Sequence, residues 1–321
     1  MNILFFGSTT DSVTVLESLV TSKVLGEKDR IAAVITQPPR PIGRTNIPVP
    51  TPIESWGKSH KIPVLTFDTN PEKPWLFLDD DAVTNTLSTE KPDLLITACY
   101  GQKIPAALIA LSKHGGLNIH PSLLPRWRGA DPVPWTILSG DAQTGATVVT
   151  ISEKFDQGKI IDQKKIPVDP KVSADDLRSE LFRMGAELLV HILPDYLTGS
   201  NKGKSQDPTN TTVARKLTRS HGFIPWKILK AAMVGEGTES EIPENFILMN
   251  AEGTVAEKIQ RALRAFSPWP GVWTTIHVPE EKRLKILEVH VEGEKLIPDT
   301  VQMEGKKPVR WDIFTKSYVI A

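Results

Sequence analysis

The chain has 321 residues, 40% of them hydrophobic, enough for one large or two ordinary domains and far from a disordered composition. Its 38 Lys and Arg balance 38 Asp and Glu, so the basic excess of a general nucleic-acid binder is missing, although opposite charges can still segregate to different faces. No apolar run is long enough to span a bilayer, and a single cysteine, Cys99, excludes an intramolecular disulfide.

Asn2 to Phe6 reads as a fully buried strand. The opening MNILFFG has neither the basic n-region and cleavage site of a secretory signal nor an Arg/Ser-rich import presequence, so a cytoplasmic location is expected. Gly7-Ser8-Thr9-Thr10 turns the chain into a helix whose apolar face is expected at Val13, Leu16, Leu19 and Val20. No G-x-G-x-x-G follows the first strand, so a dinucleotide site lacks its fingerprint. Ile31 to Ile35 is a second buried strand. Residues 37–50 carry Arg40, Arg44 and Asn46 among prolines and a glycine, without hydrophobic periodicity. A polar loop of that length is functional or disordered.

Thr51-Pro52-Ile53-Glu54 predicts a helix start with Thr51 as N-cap, Pro52 at the first helical position and Glu54 as the capping-box partner. Val64-Leu65 suggests a short strand, and residues 69–81 an irregular surface segment. Leu94 to Ala98 is another buried strand, with Cys99 expected inside it as a core residue. Strands apolar on both faces, alternating with helices, argue for a Rossmann-like α/β fold: a mainly parallel sheet with helices on both faces.

Residues 118–129 read NIHPSLLPRWRG and are the most informative stretch. On a strand, Asn118 and His120 point to the same side, and the prolines that follow stiffen the next loop. An amide and an imidazole aimed together from a strand end suit a developing oxyanion; alone, the pair equally suits a turn amide beside a structural histidine. Thr147 to Ile151 and Lys159 to Ile166 read as strands joined by a short turn with Asp156 and Gly158. That aspartate alone suits a plain hairpin turn. Ser173 starts a long helix with Leu177, Leu181, Leu188 and Ile192 inward. Residues 197–215 have linker composition. From Lys216 onward, short β-like runs (Phe246 to Met249, Trp273 to Val278, Leu284 to Val291) suggest a small OB-like β-barrel. One helix interrupts it, with a Thr254/Glu257 capping box and Val255, Ile259, Leu263 and Phe266 on one face.

Four stretches together resemble the folate-dependent formyltransferases, and within them the methionyl-tRNA formyltransferases: NIHPSLLPRWRG; residues 145–160, ending in the Asp156–Gly158 turn; TQPPRPIGR, residues 36–44, with Pro48 to Pro52; and SPWPGVW, residues 267–273. The resemblance implies a catalytic domain over 1–196, a linker over 197–215 and an OB-like tRNA-binding domain over 216–321. It implies Asn118, His120 and Asp156 as catalytic residues and 10-formyltetrahydrofolate as co-substrate, with no metal. Folate contacts would come from Cys99, Tyr100, Gly101, Ser122, Leu123, Leu124 and Pro125. The partner implied is initiator methionyl-tRNA, met through Arg40, Arg44 and Lys216, with no membrane and a monomer as the expected state.

Arg215, Lys216, Arg219, Lys227 and Lys230 suit phosphate tracking, while the nearby Glu236, Glu239, Glu241 and Glu244 suit a mixed solvated surface. The chain departs from the resembled pattern at the first turn, where Thr9-Thr10-Asp11 replaces threonine-proline-aromatic, and at Lys159, where an acidic residue is usual. Two other functions stay open: formyl transfer to a nucleotide-linked amino sugar, and a catalytically idle RNA-binding protein on the same scaffold.

Overall fold

The structure is a computed structural model that describes residues 1–41, 46–236 and 252–318. Arg44 and the expected β-run Phe246 to Met249 lie outside the described residues. The chain forms two compact units, one of Met1–Ala130, Gly145–Ile166 and Arg178–Ala214, the other of Asp131–Thr144, Pro167–Leu177 and Arg215–Ala321.

In chain order, the elements through the central sheet are β1 (Asn2–Gly7), α1 (Thr10–Thr21), β2 (Arg30–Thr36), β3 (Arg40–Pro41), β4 (Pro48–Val49), α2 (Pro52–Ser59), β5 (Val64–Thr66), α3 (Asp80–Ser88), β6 (Leu94–Ala98), α4 (Ala106–Leu111), β7 (Gly116–His120), β8 (Arg128–Gly129), α5 (Pro132–Leu138), β9 (Gln143–Thr150), β10 (Ile160–Pro167), α6 (Ala174–Thr198) and β11 (Val213–Ala214). The large sheet runs β10-β9-β7-β6-β1-β2-β5. Its strands from β5 to β7 are parallel, and β9 joins β7 antiparallel.

Alternation along β1 sorts the core. Ile3 and Phe5 face one side with Val15, Leu16, Ile53, Phe182 and Leu189, whereas Leu4 and Phe6 face the other with Val83, Leu87, Tyr100 and Leu108. Helices α1, α2 and α6 therefore cover one face and α3 and α4 the other, the two-sided layering expected from the sequence. The last two helices carry no strong sequence period and are not expected from it.

Local expectations hold or fail for identifiable reasons. The buried face of α1 is Val15, Leu16 and Leu19; Val20 is 42% exposed, because the stripe turns one position away from it. Thr51 caps Glu54 N at 3.1 Å, but the Glu54 carboxylate takes Lys58 Nζ at 2.6 Å in place of closing a capping box. Cys99 lies one residue beyond β6 and is half-buried at φ 48°. Beyond α6, residues 199–214 bond within the first unit: Lys204 and Ile160 exchange two backbone bonds of 2.8 Å, and β11 lies parallel to β8.

The second unit adds α7 (Trp226–Val234), α8 (Val255–Ala265), β12 (Val272–His277), β13 (Glu281–Glu292), β14 (Lys295–Met303), β15 (Val309–Arg310) and α9 (Trp311–Ser317). The four strands form an antiparallel sheet in sequence order, a small β domain. Helix α8 has the expected Thr254/Glu257 capping box and buries Val255, Ile259 and Phe266.

Phe6 is fully buried and meets the Tyr100 ring edge-on at 5.3 Å. Replacing Phe6 with Ala should destabilise the first unit by about 3–5 kcal/mol, read as a lower denaturant midpoint.

Candidate active site

Strand β7 lies between β6 and β9, with Asn118 opposite Thr97 on one side and Val149 on the other. The Thr97 hydroxyl donates to Asn118 Oδ1 at 2.6 Å. The Asp156 carboxylate on the other side of the amide fixes which end is which, because a carboxylate accepts and so takes the NH2, leaving the oxygen toward the hydroxyl. Asn118 Nδ2 then donates to Asp156 Oδ1 at 3.2 Å through one of its two hydrogens.

His120 ends the strand and is 3% exposed. Its Nε2 lies 2.8 Å from the Trp127 carbonyl oxygen, which can only accept, so Nε2 carries a hydrogen. Its Nδ1 faces Asp156 Oδ1 at 3.4 Å. The ring thus ties the loop after β7 to the carboxylate, with both nitrogens engaged inside the protein.

Asp156 projects from the turn between β9 and β10 with φ 55°, in the left-handed region. Gly129 N donates to its Oδ2 at 2.9 Å. Gln206 Nε2 holds the turn by donating to the carbonyls of Asp156 at 2.7 Å and Gly158 at 2.8 Å. The Gln206 oxygen in turn accepts Arg128 Nε at 2.9 Å and Nη2 at 2.7 Å. Two glycines are dictated by space: a Cβ at Gly158 would run into the Thr150 carbonyl, and one at Gly129 into the Ala214 carbonyl.

Thr97, Trp127, Gly129 and Gln206 complete this network, and no sequence period marks them as site residues. Gln206 comes from the segment with linker composition; only its fold back onto Ile160 gives it a role.

The remaining candidates are dispersed. Tyr100 turns its ring into the core against Phe6 and Phe77, burial pushes its phenol above its ordinary range, and its carbonyl accepts Gln37 Nε2 at 2.8 Å. Gly101 follows at φ 81°. Ser122 is buried with its hydroxyl on the Arg126 carbonyl at 2.6 Å. Leu124 is also buried, its N–H on Thr147 Oγ1 at 3.2 Å and its carbonyl taking Gln163 Nε2 at 2.9 Å. Leu123 and Pro125 are half-buried. Arg40 is exposed on the β3–β4 ribbon of the first unit, and Lys216 is exposed on the second.

Beside Asp156 lies a cleft of about 440 Å³, with Trp75, Lys103, Arg128, Gly129, Phe155 and Gln157 in its wall. Among the described residues no group of three or more His, Cys, Asp or Glu is placed to hold a metal, and no helix is long and apolar enough to cross a membrane.

Replacing Gly158 with Ala forces a methyl onto the Thr150 carbonyl and should cost about 1–3 kcal/mol. Equilibrium unfolding of the variant beside the parent measures it.

Residues 1–193 match the formyl transferase family and residues 253–300 its C-terminal domain. The methionyl-tRNA formyltransferase of Listeria welshimeri is 35% identical over 94% of this chain and 84% of its own length. That of Roseiflexus castenholzii is 32% identical over 96% and 93%. Among solved structures, the methionyl-tRNA formyltransferase from Clostridium thermocellum shares the fold with a TM-score of 0.53 at 15% identity, over 94% of this chain and 98% of that one. The N-formyltransferase from Helicobacter canadensis, in complex with folinic acid and dTDP-3-aminofucose, shares it at 0.56 and 16%, over 90% and 88%. With both family domains present and full-length relatives above 30% identity, the chain belongs to the formyltransferase family, alongside the methionyl-tRNA formyltransferases.

Proposed function

We propose that this chain is a cytoplasmic, monomeric enzyme that moves the formyl group of 10-formyltetrahydrofolate onto the α-amino group of methionyl initiator tRNA, giving N-formylmethionyl-tRNA for translation initiation. The observation that carries the reading is the junction of Asn118, His120 and Asp156 through contacts of 3.2 and 3.4 Å, in a chain whose relatives are methionyl-tRNA formyltransferases along 94% of its length.

Formyl transfer to an amine builds negative charge on the formyl oxygen and releases a proton from the nitrogen. Asn118 offers the oxygen its second Nδ2 hydrogen, held in place by Thr97. Asp156, 3.4 Å from His120 Nδ1, is the carboxylate to which the amine's proton can pass and from which it can go on to N10 of the folate as the bond from N10 to the formyl carbon breaks and tetrahydrofolate leaves. Backbone groups around Gly101 and the 153–157 turn contribute folate contacts, since Tyr100, Ser122 and Leu124 turn their side chains inward. Arg40, exposed on its ribbon, suits the phosphates of the tRNA acceptor end by its forked donors, as Arg44 does by its chemistry, and Lys216 adds a point charge on the second unit.

The direct test is incubation with 10-formyltetrahydrofolate and either charged initiator tRNA or a nucleotide-linked amino sugar. Formylation of the methionyl amine supports the reading, and formylation of the sugar alone replaces it. Asn118→Ala should lower kcat about a hundredfold to a thousandfold through loss of one oxyanion donor, with folate binding retained. Arg40→Ala should raise KM for charged tRNA, more so as salt is lowered, while turnover on a small amine analogue stays at the parent level. Equal losses on both acceptors would remove Arg40 from tRNA recognition.

A further inference from the structure

The segment between β5 and α3 is irregular in sequence yet tightly built. Thr69 and Phe77 bridge antiparallel, Asn70 N donates to the Leu76 carbonyl at 3.0 Å, and Leu78 N to the Asp68 carbonyl at 3.0 Å. Asn70 Oδ1 accepts Glu72 N and Lys73 N, each at 3.0 Å, closing the tip. Phe77 anchors the base, buried against Phe67 at 5.9 Å and Tyr100 at 6.4 Å. The Trp75 carbonyl accepts Lys103 N at 2.8 Å, which pins the tip to the chain beyond β6.

Two large apolar side chains of this excursion stay exposed, Leu78 away from the cleft lining and Trp75 within it. Trp75 stays 46% exposed and stands in the wall of the cleft beside Asp156. Phe155, next to the catalytic carboxylate in sequence, shares that wall and is 44% exposed. Lys103, Arg128 and Lys154 line the same cleft against one acid, Glu153. Exposing a tryptophan forgoes a favourable burial, so a rigid segment that holds one at a reactive site points to a ligand that covers it.

We propose that Trp75 is a binding residue for the formyl donor, its indole packing on the flat rings of the folate while the cleft's cations face the carboxylates of the glutamate tail. This rests on the functional reading above. The choice of folate over the acceptor follows from size and chemistry: about 440 Å³ suits a compact small molecule, and planar rings joined to carboxylates match two exposed aromatic rings joined to three cations.

The test uses the full chain as parent, Trp75→Ala and Trp75→Phe. Calorimetric titration with 5-formyltetrahydrofolate, without tRNA, reads donor-site binding directly, and thermal unfolding checks the fold. One lost aromatic stacking partner weakens binding by roughly tenfold. Trp75→Ala should therefore raise Kd for the folate and KM for 10-formyltetrahydrofolate by that factor, leave KM for charged tRNA unchanged and keep the parent's melting temperature. Trp75→Phe should recover most of the loss. Parent-like folate affinity in the Ala variant, or a defect confined to the tRNA KM, would overturn the assignment to the donor. A parent protein that binds no folate would overturn the functional reading and this inference together, and that result is distinguishable because it shows without any substitution.

Discussion

The site depends on one buried carboxylate. Asp156 collects the Asn118 amide, the Gly129 N–H and the His120 ring around two oxygens, and a negative charge taken from water this far is tolerated only with such partners. The arrangement constrains backbone as well as side chains. The turn must hold Asp156 at φ 55°, Gly158 must lack a Cβ, and Gln206 must reach across to bind two turn carbonyls. Removing any of these loosens the angle at which the carboxylate meets the amide and the imidazole.

The sheet supplies the rest of the geometry. Strands β6 and β7 run parallel and end at the same edge, so the strand-end chain from Cys99 to Lys103 and the loop after His120 emerge side by side. Ser12 Oγ donates to the Ala98 carbonyl at 2.7 Å, which ties the first turn to that edge too. The Asn118–His120–Asp156 junction draws on the last three residues of β7 and on the turn after β9. The antiparallel β9 is equally necessary: it brings the Asp156 turn back beside β7, which a parallel crossover would not.

Charge shows how composition and surface part ways. The chain is formally neutral, yet Lys103, Arg128 and Lys154 line one cleft with a single acid, Glu153. Those residues come from three distant stretches of sequence, so the local field exists only in the folded chain.

Periodicity carried the two-sided α/β layering, the inward face of α6 and the α8 capping box, because each depends on neighbours within one or two turns. NIHPSLLPRWRG placed an amide and an imidazole on one strand face by spacing alone, and the Asp156–Gly158 turn was legible as a turn. The contacts of Thr97, Gly129 and Gln206 were not legible, nor was the stand of Trp75 at the cleft, since each is set by a partner twenty or more residues away, and the Trp127 carbonyl meets His120 only through the loop that folds between them. The sequence by itself determined which groups the chain could bring to an oxyanion and what local elements would carry them. Tertiary structure alone decided which way the Asn118 amide faces, that both His120 nitrogens are taken and that Asp156 is held by three elements at once. Hydrogen-bond direction and close approach are properties of atoms brought together in space, and no local pattern along a chain encodes them.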